Sequence, residues 1–156
     1  ILTLIDGRAD HLGAGWQSRQ AEVAVGSGGL LGKGHGLGSQ VAGGFLPENH
    51  TDFVFAKLCE EQGLLGGALV LGLYLTLILS ILYTAMTARD RFGALICLGV
   101  AALLFWHVSM NIGMVLGLLP VTGVTLPLMS YGGSSVVTTI LALGLVFNVH
   151  SKRHVF

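Results

Sequence analysis

Residues 63–84 read GLLGGALVLGLYLTLILSILYT, an uncharged run of apolar and small side chains in which leucine dominates. A helix of about 20 such residues is long enough to cross the roughly 30 Å hydrocarbon core of a bilayer. Residues 92–112, in which His107 is the only ionisable side chain, and residues 133–149 have a similar character. The sequence therefore predicts three transmembrane helices over these three stretches.

The composition of the whole chain agrees with a membrane protein. Hydrophobic residues make up 53% of the sequence and charged residues only 10%, whereas soluble domains carry about 25% charged residues. Residues 92–151 contain no Asp, Glu, Lys or Arg. The formal net charge of zero, with eight Lys and Arg in total, argues against a nucleic-acid partner, which needs a basic excess. We expect an all-α integral membrane protein, a polytopic helical bundle.

Two short basic patches set the expected orientation. They are ARDR at 88–91 and SKRH at 151–154, and they lie on the same side if the predicted helices alternate. The positive-inside rule makes that side cytoplasmic. Residues 1–62 then form a large extracellular loop, and residues 63–156 form a three-helix membrane portion with a cytoplasmic C-terminus. The apolar start of the chain, ILTLI, is interpreted as the end of a preceding helix in a longer protein.

The extracellular segment is rich in glycine, with nine glycines among residues 26–44. Glycine weakens helices and strands alike, so this stretch is expected to be a loop. It lacks the spacing, and the Ser or Thr after the lysine, of a nucleotide-binding phosphate loop. Its amides and Lys33 are better suited to meeting some other anion. Farther along, Thr51 is predicted to cap a short amphipathic helix.

The loop between the second and third predicted helices is apolar but irregular. Residues 113–132 contain Pro120, Pro127 and several glycines. Irregular backbone at membrane depth is tolerated only where protein or a wet cavity surrounds it. We expect a re-entrant-like outer loop that lines a cavity. The two cysteines, Cys59 and Cys97, have no metal-type spacing and are interpreted as packing residues.

Placing a carboxylate near the interior of a membrane costs free energy, so such a residue suggests a functional role. Glu48 and Asp52 stand four residues apart, whereas Glu60 and Glu61 resemble solvated residues at the start of a membrane span. Asp52 has two interpretations from its position alone, a helix-start residue that interacts favourably with the helix dipole or a catalytic acid. The histidines at 11, 35 and 50 form no close pair, so no metal site is predicted.

Three stretches in the right order resemble one known family, the SEDS proteins of bacterial cell-wall synthesis. They read GAGW at 13–16 with AVGSGGLLGKG at 24–34, FLPENHTDF at 45–53, and NIG at 111–113 with LLP at 118–120 and SYGGSS at 130–135. The resemblance covers essentially the whole chain, as the last large extracellular loop and last three helices of a larger bundle. GMV at 113–115 and PVTG at 120–123 look more like the elongation (RodA) branch than the division and sporulation (FtsW and SpoVE) branches.

The resemblance implies a peptidoglycan glycosyltransferase that polymerises lipid II during cell elongation and cell-shape maintenance. Asp52 matches the family's essential carboxylate and would act as general base. Lys33, Glu48 and Ser130 are the substrate-binding candidates, with Lys33 or a divalent cation, Mg²⁺ or Mn²⁺, meeting the charge of the leaving group. Implied partners are a class B penicillin-binding protein (a transpeptidase), other elongation-complex membrane proteins and membrane lipid. The implied location is the bacterial inner, or cytoplasmic, membrane, with several passes.

Three alternatives stay open at the level of sequence. The broken loop around Pro120 and Pro127 also suits a flippase or transporter for the lipid-linked precursor. A translocation path for pyrophosphate should carry ionisable residues inside the membrane, and the three spans offer only His107. The chain could also belong to a division or sporulation paralogue, or to a catalytically silent scaffold in which the acidic motif is structural.

Overall fold

The structure, a computed structural model, describes residues 14–34 and 52–152, which fold into four helices. They are α1 (Ala14–Ser27), α2 (Val54–Met86), α3 (Arg91–Val115) and α4 (Gly133–Lys152). The described ranges contain no strand, and α2, α3 and α4 are long and apolar enough to cross a membrane. The all-α membrane architecture and the three predicted spans are therefore confirmed.

Part of the segment that the sequence predicts to be an extracellular loop is helical, because α1 occupies Ala14–Ser27. The helix after the acidic motif begins at Val54 and is separated from the first membrane span by a break at Gly63. The residue that precedes the helix is Phe53, and it makes no side-chain capping hydrogen bond. The predicted cap, Thr51, lies outside the described residues.

Helix α2 is broken once, at Gly63, whose backbone is left-handed (φ 72°, ψ −171°). The break separates the two halves of α2 at the residue where the sequence predicts the membrane span to begin. It is filled by the turn formed by residues 28–34, here named the glycine turn. The amides of Lys33 and Gly34 donate to the carbonyls of Glu60 and Glu61, at 3.0 and 3.1 Å.

On the other side of the break, α2 donates hydrogen bonds back to the glycine turn. The amides of Leu64 and Leu65 donate to the carbonyls of Gly29 and Leu30, at 2.9 and 3.3 Å. In an unbroken helix these amides would bond to Glu60 and Glu61. Buried backbone groups need partners, so the glycine turn replaces the two helical hydrogen bonds that Gly63 removes.

Gly63→Ala should destabilise the protein. A β-carbon at Gly63 would lie 2.5 Å from the Leu30 carbonyl oxygen, in a left-handed conformation that suits glycine. We expect a loss of at least about 2 kcal/mol, measured as a lower thermal unfolding midpoint of the detergent-solubilised protein. Gly72→Ala is the matched control, since it lies in the same helix with nothing within 4 Å of its added β-carbon. Equal midpoints for the two variants would contradict this account of the break.

The apolar core is divided into two clusters. The first joins α1, the start of α2 and the end of α3 around Phe53, Phe55 and Leu126, and the second joins the other halves of α2, α3 and α4 around Ile81 and Leu104. Cys59 and Cys97 are buried and unbridged in these clusters, so their predicted packing role is confirmed. Many leucines elsewhere on the spans face outward, as suits contact with lipid or further helices.

The two ends of the bundle carry different chemistry. At one end, the turn from α2 to α3 lies beside the end of α4, where Thr84 Oγ1 and His150 Nδ1 are 3.5 Å apart. Asp90 caps α3 there by accepting from the Gly93 amide at 3.1 Å. Arg89, Arg91 and Lys152 are at this basic end. The opposite end holds Asp52, the glycine turn and residues 116–132, here named the α3–α4 loop.

Candidate active site

Asp52 lies in a turn just before α2 and is partly buried. The next residue, Phe53, is only 1% exposed and packs into the first core cluster. This anchoring fixes the chain direction at Asp52, although Asp52 itself is outside the helix. The catalytic candidate is therefore held at the end of the bundle by a buried neighbour.

A second anchor holds Asp52 through its backbone. Asn111, a fully buried residue of α3, donates from Nδ2 to the carbonyl oxygens of Asp52 and Val124, at 2.9 and 2.7 Å. The Asp52 carboxylate itself lies against the α3–α4 loop, since a β-carbon built on Gly123 would be 3.5 Å from Asp52 Oδ2. The acidic motif and the loop thus meet at Asn111.

The α3–α4 loop starts where the sequence stops the helix. Gly117 has φ 67°, its amide donates to Met114, and the Leu118 amide donates to Gly113. These two bonds form a Schellman ending, which uses glycine in the left-handed conformation. Pro120 follows and cannot continue the helix.

Three side chains then tie the α3–α4 loop to the bundle. Besides Asn111, the buried Met114 sulfur accepts from the amide and hydroxyl of Thr122, at 3.1 and 3.2 Å. The Tyr74 hydroxyl of α2 donates to the Pro127 carbonyl. The residue after this proline, Leu128, has φ 66°, a conformation that is unusual for a bulky side chain. The loop is irregular yet held by side chains of α2 and α3, in agreement with the expectation that protein surrounds it.

Ser130 lies inside this loop. It is only 3% exposed, and its hydroxyl oxygen accepts from the Leu126 amide at 2.7 Å. The amide of Ser130 donates in turn to the Leu126 carbonyl at 3.0 Å. In this conformation Ser130 stabilises the turn that buries Leu126. A substrate would meet it only after the loop rearranges.

A cavity of about 230 Å³ opens beside the loop, between α3 and the start of α4. Its lining is rich in hydroxyl groups and comprises Leu103, His107, Thr125, Pro127, Ser134, Ser135, Thr138 and Thr139. Thr125 follows Val124, which Asn111 holds, and His107 precedes Asn111 by one helical turn. The cavity therefore lies next to the Asp52 site, and the expectation of a cavity-lining loop agrees with the structure.

Lys33 forms an ion pair across the glycine turn. Its ammonium lies 3.2 Å from Glu60 Oε1 and 2.8 Å from the Ser27 hydroxyl, and its side chain is 30% exposed whereas that of Glu60 is fully buried. The expectation that Glu60 and Glu61 are solvated is wrong, since they are 0% and 8% exposed. The reason is the glycine turn, which covers this part of α2 and brings a cation to Glu60.

The remaining predicted residues are not all placed. Glu48 and the histidines at 11, 35 and 50 lie outside the described residues. Within residues 14–34 and 52–152, no three His, Cys, Asp or Glu side chains come together as a metal site. The structure thus brings together Asp52, Asn111 and the α3–α4 loop, with the Lys33 and Glu60 pair farther along α2.

Two important residues were missed by reasoning from the sequence. Asn111 appeared only within a family motif, and Glu60 was assigned to solvent. For Asn111 a signal existed, because a polar amide in an uncharged membrane helix is costly unless it has partners. For Glu60 the partner is 27 residues away, and no local pattern reveals the pair.

Comparisons with known proteins agree on one family. The family model for the cell cycle proteins FtsW, RodA and SpoVE matches residues 1–155. The chain is 48% identical over 155 residues to peptidoglycan glycosyltransferase MrdB of Escherichia coli K12, covering 98% of this chain and 41% of that protein. It is 45% identical over 140 residues to stage V sporulation protein E of Bacillus subtilis, covering 90% of this chain and 38% of that protein.

Solved structures give the same result. A structure described as "Structural coordination of polymerization and crosslinking by a peptidoglycan synthase complex" superposes with a TM-score of 0.79 at 35% identity, over 98% of this chain and 41% of that one. The rod shape determining protein RodA of Thermus thermophilus superposes with a TM-score of 0.65 at 40% identity, over 84% of this chain and 38% of that one. The chain spans about two fifths of the length of these relatives.

The matched residues, the three membrane helices and the motifs around Asp52 and Asn111 lead to one assignment: the chain belongs to the FtsW, RodA and SpoVE (SEDS) family.

Proposed function

We propose that the full-length protein containing this chain is a peptidoglycan glycosyltransferase that polymerises lipid II, acting in cell elongation. The observation that carries the proposal is the placement of Asp52, partly buried beside the α3–α4 loop, in a chain 48% identical to a protein named as such an enzyme. The elongation branch is favoured by that relative and by a 40% identical RodA of Treponema pallidum.

Asp52 would act as the general base. A sugar hydroxyl is a poor nucleophile until a positioned base removes its proton in the transition state. One displacement then inverts the α-linked pyrophosphate donor into a β-glycosidic product. A retaining reaction would need a second carboxylate as nucleophile, so one aspartate is enough for the inverting route.

The departing pyrophosphate needs positive charge. Lys33 is our candidate in the described part of the chain, because its side chain is partly exposed while its ammonium pairs with Glu60. Glu48 and Ser130 remain proposed substrate contacts, Ser130 only after the loop moves. A divalent cation is a further source of charge, and residues beyond this chain would complete the donor site.

The proposed partner is a transpeptidase of the class B penicillin-binding type, with lipid II as substrate and the bacterial inner membrane as the location. The partner is suggested by the similar structure whose description joins polymerisation to crosslinking. The multi-pass character that this location requires follows from the three spans.

Polymer formation from purified, labelled lipid II by the full-length protein in proteoliposomes tests the proposal. Folded protein without polymer, with or without the transpeptidase, would reject it. A flippase would instead move labelled precursor across the vesicle bilayer without joining it, so the same preparation distinguishes the two activities.

The orientation of the bundle gives a separate prediction. We expect a cysteine at Leu31, which is 82% exposed, to react with a membrane-impermeant maleimide added to intact spheroplasts. A cysteine at the exposed Arg89 should react only after lysis. Cys59 and Cys97 are buried and should give little background. The reverse labelling pattern would put Asp52 on the cytoplasmic side and remove the proposed mechanism.

A further inference from the structure

The side chain of Asn111 connects two backbone segments that are remote in sequence. Its Nδ2 donates to the Asp52 carbonyl, 59 residues away, and to the Val124 carbonyl, 13 residues away. Because both acceptors are carbonyl oxygens, only the NH₂ end of the amide can face them, and both of its hydrogens are used. Asn111 therefore acts as a two-armed clamp.

The clamp lies in apolar surroundings. Asn111 is fully buried, and Val108 and Val115, about one helical turn away on either side, are core residues together with Phe53 and Leu126. Hydrogen bonds are strong in such low-dielectric surroundings, and an unsatisfied polar group is costly there. Asn111 Oδ1 has no hydrogen-bond partner within the described residues. The fold thus keeps a polar side chain with an unused acceptor, for which the two donated bonds are the evident reason.

We propose that Asn111 is a positioning residue for Asp52, which fixes the distance between the carboxylate and the α3–α4 loop. The inference rests on the proposed function, in which Asp52 is the base. Asp52 lies outside α2, and both the clamp on its carbonyl and the burial of the neighbouring Phe53 help to hold it in place. A displacement of about 1 Å in a reacting group can cost on the order of 100-fold in rate.

Asn111→Leu in the full-length protein removes both bonds with little change in side-chain size. Hydrogen exchange measured by mass spectrometry should become about 10-fold faster or more in peptides covering residues 52–56 and 121–127. The kcat for polymerisation should fall about 10- to 100-fold, with KM for lipid II nearly unchanged. Asn148→Leu is the matched control, because Asn148 is exposed on α4 and should leave both measurements unchanged.

A double-mutant cycle tests whether the effect passes through Asp52. Asp52→Glu moves the carboxylate by one methylene and should keep a measurable rate. If Asn111 acts by placing that carboxylate, the rate loss in Asn111→Leu/Asp52→Glu should be smaller than the product of the two single losses. A full product of the losses would overturn the positioning role, and unchanged hydrogen exchange would overturn the clamp.

The test also covers two other cases, a variant that does not fold and a wild-type protein that makes no polymer. If Asn111→Leu does not fold, Asn111→Ser removes the amide while leaving room for water, and the same measurements apply with the same criteria. If the wild-type protein makes no polymer, the proposed function fails, but hydrogen exchange still decides the clamp. Faster exchange would support it and unchanged exchange would reject it.

Discussion

Asp52→Asn in the full-length protein should abolish glycan polymerisation while membrane insertion and folding persist. Asparagine keeps the shape of the side chain, and the clamp from Asn111 is unaffected because it binds the backbone carbonyl of residue 52. An amide cannot accept the hydroxyl proton, however. General-base catalysis contributes about 10² to 10⁴ in rate, so polymer from labelled lipid II should fall close to background.

Asp90→Asn is a matched control for this substitution. Asp90 caps α3 at the basic end of the bundle, and asparagine caps helices about as well as aspartate, so activity and folding should both persist. Near-normal polymer from Asp52→Asn would reject Asp52 as the base. An equal loss of folded protein would assign Asp52 a structural role. Glu48→Gln should retain more activity than Asp52→Asn.

Lys33→Met should destabilise the protein at the glycine turn. It leaves the fully buried Glu60 carboxylate without its ammonium partner. Removing one member of a buried ion pair costs about 3–5 kcal/mol, and the 30% exposure of Lys33 reduces our expectation to roughly 2 kcal/mol. The thermal unfolding midpoint in detergent should fall by several degrees. Lys57→Met, in the first part of α2, should change it less.

The double variant Lys33→Met/Glu60→Gln separates stability from catalysis. It removes the isolated charge along with its partner, so most of the lost stability should return. If Lys33 also meets the leaving pyrophosphate, as proposed, polymerisation should stay at least about 10-fold below wild type in this folded variant. Wild-type rates in the stable double variant would limit Lys33 to its structural role. A double variant no more stable than Lys33→Met would contradict the ion-pair account.

The membrane helices were predictable because their signal is local. An uncharged apolar run of about 20 residues has few structures open to it other than a membrane-spanning helix. The bounds of α3 follow from Asp90, which caps its start, and Gly117, which ends it. Gly63 marked the start of a span in the sequence, although its part in a helix break depends on backbone partners from residues 28–34.

The site was predictable only in part, for a physical reason. Asp52 was found through the resemblance of FLPENHTDF to a family motif. Its position alone was equally consistent with a structural role at the start of a helix. The partners that define its environment, Asn111 and Gly123, are 59 and 71 residues away. The burial of Glu60 likewise depends on a lysine 27 residues earlier. Contacts between distant segments leave no periodic pattern in the sequence.

The break at Gly63 has a geometric consequence for evolution of this chain. Four backbone hydrogen bonds to the glycine turn fix the break at a single residue. The part of α2 before the break, residues 54–62, therefore has a fixed rotation relative to the part after the break. One residue inserted between positions 54 and 62 would turn the part before the break by about 100° and advance it by about 1.5 Å. Its length should therefore be invariant, whereas surface loops elsewhere can tolerate insertions.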